Sequence, residues 1–284
     1  MAHVATTMTN SSRISLRFAG LRHTGEMGLV AYLTAGDPSL SATERFVLAL
    51  ANAGADVVEL GVPFSDPVAD GPVIQRASER ALRSGTTLAG VLALVNSLRT
   101  KTEIPLVLFS YFNPVLQMGL EKFADTARAV GVDGVLITDL TPEEGAEYRV
   151  TMQSRGLDTI FLAAPTSTDE RLAVIAKSSS GFLYLISRTG VTGAKDQLAE
   201  ELPALARRVR RVTELPIAIG FGISQPGHVS MLGGLADAAV VGSALVEQIE
   251  CAGTVEAATE ALAARVKLLK GAAVAGMSRR EPRA

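Results

Sequence analysis

The chain has 284 residues, 48% of them hydrophobic and 20% charged, enough apolar side chain for one large barrel or two small domains. Its 27 basic and 29 acidic residues leave a formal net charge of -2, so no global field draws it to nucleic acid or to an anionic membrane. A lone cysteine, Cys251, leaves no intrachain disulfide and points to the reducing cytoplasm; the polar segment 1–12 lacks an apolar signal core, and with no later run of about 18 apolar residues the chain is expected neither to be exported nor to span a membrane.

Residues 1–12 read as a disordered extension, and an extra helix is expected before the first strand. Residues 29–34 form an apolar run closed by the turn signal Gly36-Asp37-Pro38, which reads as a buried strand. Residues 40–53 carry Leu40, Phe46, Val47, Leu50 and Ala51 at spacings of three and four, a helix stopped by Gly54. A strand at 56–60 follows at once, and further strands are predicted near 105–109, 134–138, 159–163, 182–187, 217–220 and 238–241. Helices are predicted between them at about 86–99, 120–130, 142–155, 169–178, 195–211 and 224–234. A helical C-terminus runs from 243 to about 270, and 271–284 reads as a disordered tail.

Strands this apolar must be covered on both faces, which marks a parallel sheet. Eight strand–helix units predict an α/β fold, a single (β/α)8 TIM barrel over 13–270 with an extra N-terminal helix and a helical C-terminus. The open alternative, a doubly wound sheet, wants a glycine-rich dinucleotide turn after its first strand, where this chain reads Thr34-Ala35-Gly36-Asp37-Pro38.

In such a barrel the loops after the strands build the active site, so polar residues at strand ends are the ones to question. Val57 and Glu59 share one face of their strand, Val58 and Leu60 the other, and one of these faces is the barrel interior. A carboxyl there is costly as a structural group, but its pKa can rise toward neutrality, which suits a group that gives and takes protons. The connection 61–72 is long for a βα loop, and its three prolines present Asp66 and Asp70 on a partly fixed backbone; plain turn chemistry is the competing account of either aspartate. The polar, glycine-containing segment 187–195 reads as a lid. Gly220-Phe221-Gly222-Ile223-Ser224 and Val241-Gly242-Ser243-Ala244 each join a strand end to a helix start, two candidate anion cradles after the seventh and eighth strands, although Ser224 and Ser243 are also ordinary helix caps. None of the six lysines ends a strand, which argues against a Schiff-base aldolase, and His3, His23 and His228 have no metal-ligand spacing, so no metal is expected. A phosphorylated substrate, a proton-moving carboxyl and no cofactor to hold a carbanion leave the substrate itself to absorb electrons. The residues by themselves give a phosphate-binding barrel with an acid–base glutamate and do not name its substrate.

The run 59–72, Glu-Leu-Gly-Val-Pro-Phe-Ser-Asp-Pro-Val-Ala-Asp-Gly-Pro, resembles the signature of the tryptophan synthase alpha subunit family, and 183–193, Leu-Tyr-Leu-Ile-Ser-Arg-Thr-Gly-Val-Thr-Gly, is similar to that family's sixth-strand loop. The likeness runs from about Ile14 to Leu269. It implies cofactor-independent cleavage of indole-3-glycerol phosphate to indole and D-glyceraldehyde 3-phosphate, indole passing to a beta subunit that carries pyridoxal phosphate, in an α2β2 assembly. Carried over residue by residue, Glu59 acts on C3 and the glycerol hydroxyl, Asp70 accepts the indole N–H, and Tyr184 supports Glu59. Gly193, Phe221, Gly222, Gly242 and Ser243 hold the phosphate, and Tyr32, Phe109 and Tyr111 surround the ring. Arg188 and Thr192 belong to the lid, while Pro63, Asp66 and Asn113 face the partner. Three readings compete with this one: a free-standing lyase on the same fold, a sugar-phosphate isomerase, and a regulatory binding module without turnover.

Overall fold

The computed structural model describes residues 12–186, 202–220 and 222–277. The chain runs α1 (Arg13–Thr24), β1 (Gly28–Thr34), α2 (Leu40–Ala53), β2 (Val57–Gly61), α3 (Pro72–Arg83), α4 (Leu88–Arg99), β3 (Leu106–Ser110), α5 (Phe112–Met118), α6 (Leu120–Val130) and β4 (Gly134–Ile137). It continues α7 (Ala146–Ser154), β5 (Asp158–Ile160), β6 (Leu162–Ala163), α8 (Asp169–Ser178), β7 (Leu183–Ile186), α9 (Leu202–Arg210), β8 (Ile217–Gly220), α10 (Pro226–Met231), β9 (Ala238–Val241), α11 (Ser243–Cys251) and α12 (Val255–Met277). Among the described residues no helix is long and apolar enough to cross a membrane.

All strand pairs are parallel, in the order β5-β4-β3-β2-β1-β9-β8-β7-β6. The segments at the two ends of that order are adjacent in the chain, with only Phe161 between them. β5 pairs with β4 and β6 with β7, so the fifth strand position serves two ladders and the sheet closes into a barrel of eight positions. The single strand expected at 159–163 is therefore two segments, because its first half must follow one neighbour and its second half the other. Two helices, α3 and α5, lie where the sequence pattern announces none. α3 starts on a proline in its first turn and ends with Arg80 and Arg83 in its last, both favourable to a helix.

Two boundaries are corrected. Ser12 is not part of a disordered extension: its side chain caps α1 by accepting the Ser15 N–H and donates to Asp158 at 2.6 Å. At the other end the expected long helix is broken at 252–254, and α12 runs through Gly271 to Met277. A glycine inside a helix costs only about 1 kcal/mol, and the helix continues because Leu269 and Ala273 are fully buried. Residues 195–201 of the helix predicted at 195–211 lie outside the described residues; the rest is α9.

Alternation along the strands sorts side chains into two cores. Val30, Tyr32, Val57, Val107, Phe109, Leu136, Ile160, Tyr184, Ala218 and Val240 form the barrel interior, and Ile14, Phe18 and Leu21 of α1 close its N-terminal end, with Phe18 against Phe182 at a ring separation of 5.8 Å. The intervening residues, such as Leu29, Leu33, Val58, Leu60, Leu106 and Leu108, pack outward against the helices. Truncating any such buried leucine to alanine costs about 2–5 kcal/mol in general.

Polar side chains at the N-terminal end of the barrel are satisfied by a repeated device. Asp56, just before β2, accepts the N–H of Leu29 in β1 at 2.6 Å; Asp133, before β4, accepts that of Leu106 in β3 at 2.8 Å; Asp237, before β9, accepts that of Ile217 in β8 at 2.9 Å. Ser180, before β7, does the same for Thr159 in β5 at 2.9 Å. Each ties the start of one strand to the start of the next. The three aspartates are also matched by cations: Asp56 by Arg17 and by Lys270 at 2.9 Å, Asp133 by Arg99 and by Arg13 at 3.1 Å, Asp237 by Arg210. Buried charge is tolerable under these conditions.

Candidate active site

Glu59 lies on β2 beyond Asp56, and its surroundings are the reverse. Its Cα registers with Tyr32 on one side and Val107 on the other, residues of the barrel interior, which settles the face left open by the sequence. The side chain is fully buried, and neither carboxyl oxygen has a hydrogen-bond partner. Removal from water without compensation disfavours the charged form, and burial pushes the carboxyl up to about 8.

Asp70 reaches the same region from the loop 62–71. Tyr111 Oη donates to its Oδ2 at 3.1 Å and accepts the Ala69 N–H at 2.9 Å, while Gln75 Nε2 donates to the Asp70 carbonyl at 2.9 Å. The loop is thus pinned to the end of β3 through one phenol, and Phe64 packs on the Tyr111 ring at 5.1 Å. Burial raises the Asp70 carboxyl to about 6, with the Tyr111 hydrogen bond acting in the opposite direction.

The aromatic side chains set the walls. Tyr32 meets Phe109 edge-to-face at 5.3 Å, and its hydroxyl is 3.4 Å from Thr34 Oγ1. Burial pushes the Tyr32 and Tyr184 phenols well above their ordinary value, and Glu59 adds to this at both, so they are neutral donors facing a carboxyl. Two glycines make room for them: a Cβ on Gly61 would stand 2.0 Å from Tyr32 Oη, and one on Gly220 would stand 2.3 Å from Tyr184 Oη. These strand glycines are needed for close approach.

Beyond β8, Gly222 has φ +88°, a left-handed conformation suited to glycine, and Ile223 beside it is buried. Gly242 is the N-cap of α11 and has no side chain to cap the first turn, while its carbonyl accepts the N–H groups of Leu245 and Val246. Both candidate cradles therefore sit at the end of the barrel that holds Asp70. Phe221, Gly193, Arg188 and Thr192, with the lid 187–195, lie outside the described residues.

The fold brings Glu59, Asp70, Tyr32, Phe109, Tyr111 and Tyr184 to one mouth of the barrel. It places Asp66 and Asn113 on the exposed rim, Asn113 in the first turn of α5, while Pro63 is buried at the root of its loop. Sequence reasoning misses Thr34 and Phe64. Phe64 stands inside the signature run 59–72, but nothing in its spacing says that it meets Tyr111. Among the described residues no group of three or more His, Cys, Asp or Glu side chains is arranged to hold a metal ion.

A model of the tryptophan synthase alpha chain family matches residues 18–274. The tryptophan synthase alpha chain of Solibacter usitatus is 53% identical over 239 residues, covering 84% of this chain and 90% of that one. Among solved structures, tryptophan synthase subunit alpha from Legionella pneumophila superposes with a TM-score of 0.82 at 36% identity, over 92% of this chain and 98% of that one. A chain of the tryptophan synthase a2b2 complex from Pyrococcus furiosus gives 0.81 at 42% identity, over 87% and 99%.

Proposed function

The chain belongs to the tryptophan synthase alpha chain family, and from that premise we propose how its residues divide the chemistry. As a member it is a carbon–carbon lyase: the alpha subunit that cleaves indole-3-glycerol phosphate to indole and D-glyceraldehyde 3-phosphate, beside a beta subunit that turns indole into tryptophan.

Two carboxyls with different pKa values can hold different protonation states at one pH. With Glu59 near 8 and Asp70 near 6, Glu59 keeps its proton at neutral pH and Asp70 has lost its own. Glu59 gives its proton to C3 of the indole ring, and Asp70 accepts the ring N–H and stabilises the iminium charge. The Glu59 carboxylate then takes the proton of the glycerol hydroxyl adjacent to the ring. The electrons of the C–C bond return to the ring, indole regains aromaticity, and the aldehyde leaves. Glu59 finishes protonated, as it began. Tyr184 orients Glu59; Tyr32, Phe109 and Tyr111 flank the flat ring.

In this reading Gly193, Phe221, Gly222, Gly242 and Ser243 hold the phosphate, Arg188 and Thr192 belong to a closing lid, and Pro63, Asp66 and Asn113 meet the beta subunit. The alpha chain needs no cofactor of its own because the ring is the electron sink; pyridoxal phosphate belongs to the beta subunit. A single cysteine supports placement in the cytoplasm. The observation that carries the reading is the fully buried Glu59 carboxyl with no partner at the barrel mouth. Indole release from indole-3-glycerol phosphate is the test, by the chain alone and then with a beta subunit and serine. Slow release that rises sharply with the partner is expected. Fast release indifferent to the partner identifies a free-standing lyase, and no release in either case removes the proposal.

A further inference from the structure

The last residue of the first anion cradle, Ser224, is held on both of its backbone groups. Its N–H donates to His228 Nδ1 at 3.4 Å, and its carbonyl accepts from Arg265 Nη2. Arg265 comes from α12, a helix far along the chain that packs against α10 and α2. The guanidinium is partly buried, its Nε is fully buried with no hydrogen-bond partner, and among the described residues no carboxylate forms an ion pair with it. This sets it apart from Arg13, Arg17, Arg99 and Arg210, each of which is matched to a buried or half-buried aspartate.

A cation with no carboxylate partner among the described residues is costly where water is partly excluded, and the backbone it holds belongs to the turn proposed above to take an anion. We propose that Arg265 is a positioning residue for substrate phosphate: it fixes Ser224 at the end of the Gly222–Ser224 turn and supplies the positive charge behind it. The inference rests on the assignment of that turn to the phosphate of indole-3-glycerol phosphate. Backbone N–H groups and glycine alone bind a dianion weakly unless a charge lies close, and the lysines of this chain do not end strands. Arg265 supplies that charge without touching the reacting atoms, so it acts on binding of the phosphorylated half of the substrate and not on proton transfer at Glu59.

The test uses the full chain with Arg265→Gln and, should that variant fold poorly, Arg265→Lys. Calorimetric titration with inorganic phosphate and separately with indoline, an unphosphorylated ring analogue, is set beside steady-state cleavage of indole-3-glycerol phosphate. For Arg265→Gln the phosphate Kd and the KM should rise together by about tenfold, with kcat within about twofold and indoline affinity unchanged; Arg265→Lys should fall between. Equal loss of phosphate and indoline affinity would mean that Arg265 only props the barrel end, and unchanged phosphate affinity would mean no role; either overturns the proposal. Arg265-dependent phosphate binding in a wild-type chain that cleaves no indole-3-glycerol phosphate would uphold this inference and remove the proposed reaction.

Discussion

Burial holds the Glu59 carboxyl at about 8, so the folded protein keeps a proton that the unfolded chain releases near 4.5. The folded state therefore binds more protons across that window, and this group's contribution to stability falls as pH rises through it. Glu59→Gln stays neutral at every pH. Its stability relative to wild type should increase from pH 5 to pH 8, by an amount on the order of a few kcal/mol, because each tenfold change in proton affinity between the folded and unfolded chain is worth about 1.4 kcal/mol. Urea unfolding at both pH values reads this, and a difference that does not change with pH contradicts the burial argument. The same substitution should lower kcat by about a hundredfold or more while substrate still binds. For the wild type, kcat/KM should be bell-shaped, falling below about 6 as Asp70 gains a proton and above about 8 as Glu59 loses its own. Asp70→Asn should abolish the acid limb and leave the alkaline one, a separation that pH–rate profiles of the two enzymes decide.

At the scale of the element, β2 shows how one strand serves two purposes. At its start Asp56 accepts from Arg17, Lys270 and the Leu29 N–H, tying α1, α12 and β1 to one carboxylate. Further along the strand, Glu59 has no partner. Removing Asp56 leaves the buried Leu29 N–H without its acceptor and takes the carboxylate from the half-exposed Arg17, while Lys270 keeps Glu26 at 3.6 Å and the Met27 carbonyl at 3.2 Å, so Asp56→Ala should destabilise the fold by about 1–3 kcal/mol in urea unfolding while kcat of the folded fraction is little changed. A large fall in kcat at full folding would show that the two ends of the barrel are coupled. The alternation of apolar runs makes the strands and most helices legible in the sequence, since covering both faces of a parallel sheet leaves a continuous apolar signature. The clamps are not legible. Asp56, Asp133 and Asp237 look like ordinary turn residues until closure of the barrel brings Leu29, Leu106 and Ile217 beside them. Glu59 is legible because a charge within an apolar strand breaks a local pattern, whereas the proline-stiffened loop presents Asp66 and Asp70 alike and only the family resemblance separates them. Phe64 on Tyr111 and Arg265 on Ser224 are contacts between segments far apart in the chain, and no periodicity encodes them.

Across the whole molecule, the buried aspartates at the N-terminal end, which α1 closes, are paired with cations, and at the C-terminal end Arg80 holds the buried Asp37, so that among the described carboxyls Glu59 stands out as buried with no hydrogen-bond partner. The mouth is also where the chain offers an exposed rim: Asp66 and the 85%-exposed Val68 on the loop 62–71, and Asn113 at the start of α5. That loop and α5 are joined through Tyr111, which accepts the Ala69 N–H and donates to Asp70. On the proposed docking of a beta subunit to this rim, the partner bears on two elements that together fix the position of Asp70. Binding that steadies this linkage is expected to raise the cleavage rate without adding a reacting group. Asp66 is exposed, so reversing its charge alters the docking face and leaves the Tyr111–Asp70 hydrogen bond in place. Asp66→Lys should weaken beta-subunit affinity by about tenfold, since like or unpaired charge at a contact is costly, while indole release by the isolated chain stays within about twofold. Titrating the beta subunit into an indole-release assay measures both quantities. If Asp66→Lys slows the isolated chain as much as it weakens assembly, then the loop tip acts on the site directly, and the rim is part of the catalytic scaffold and not only the surface through which the partner reaches it.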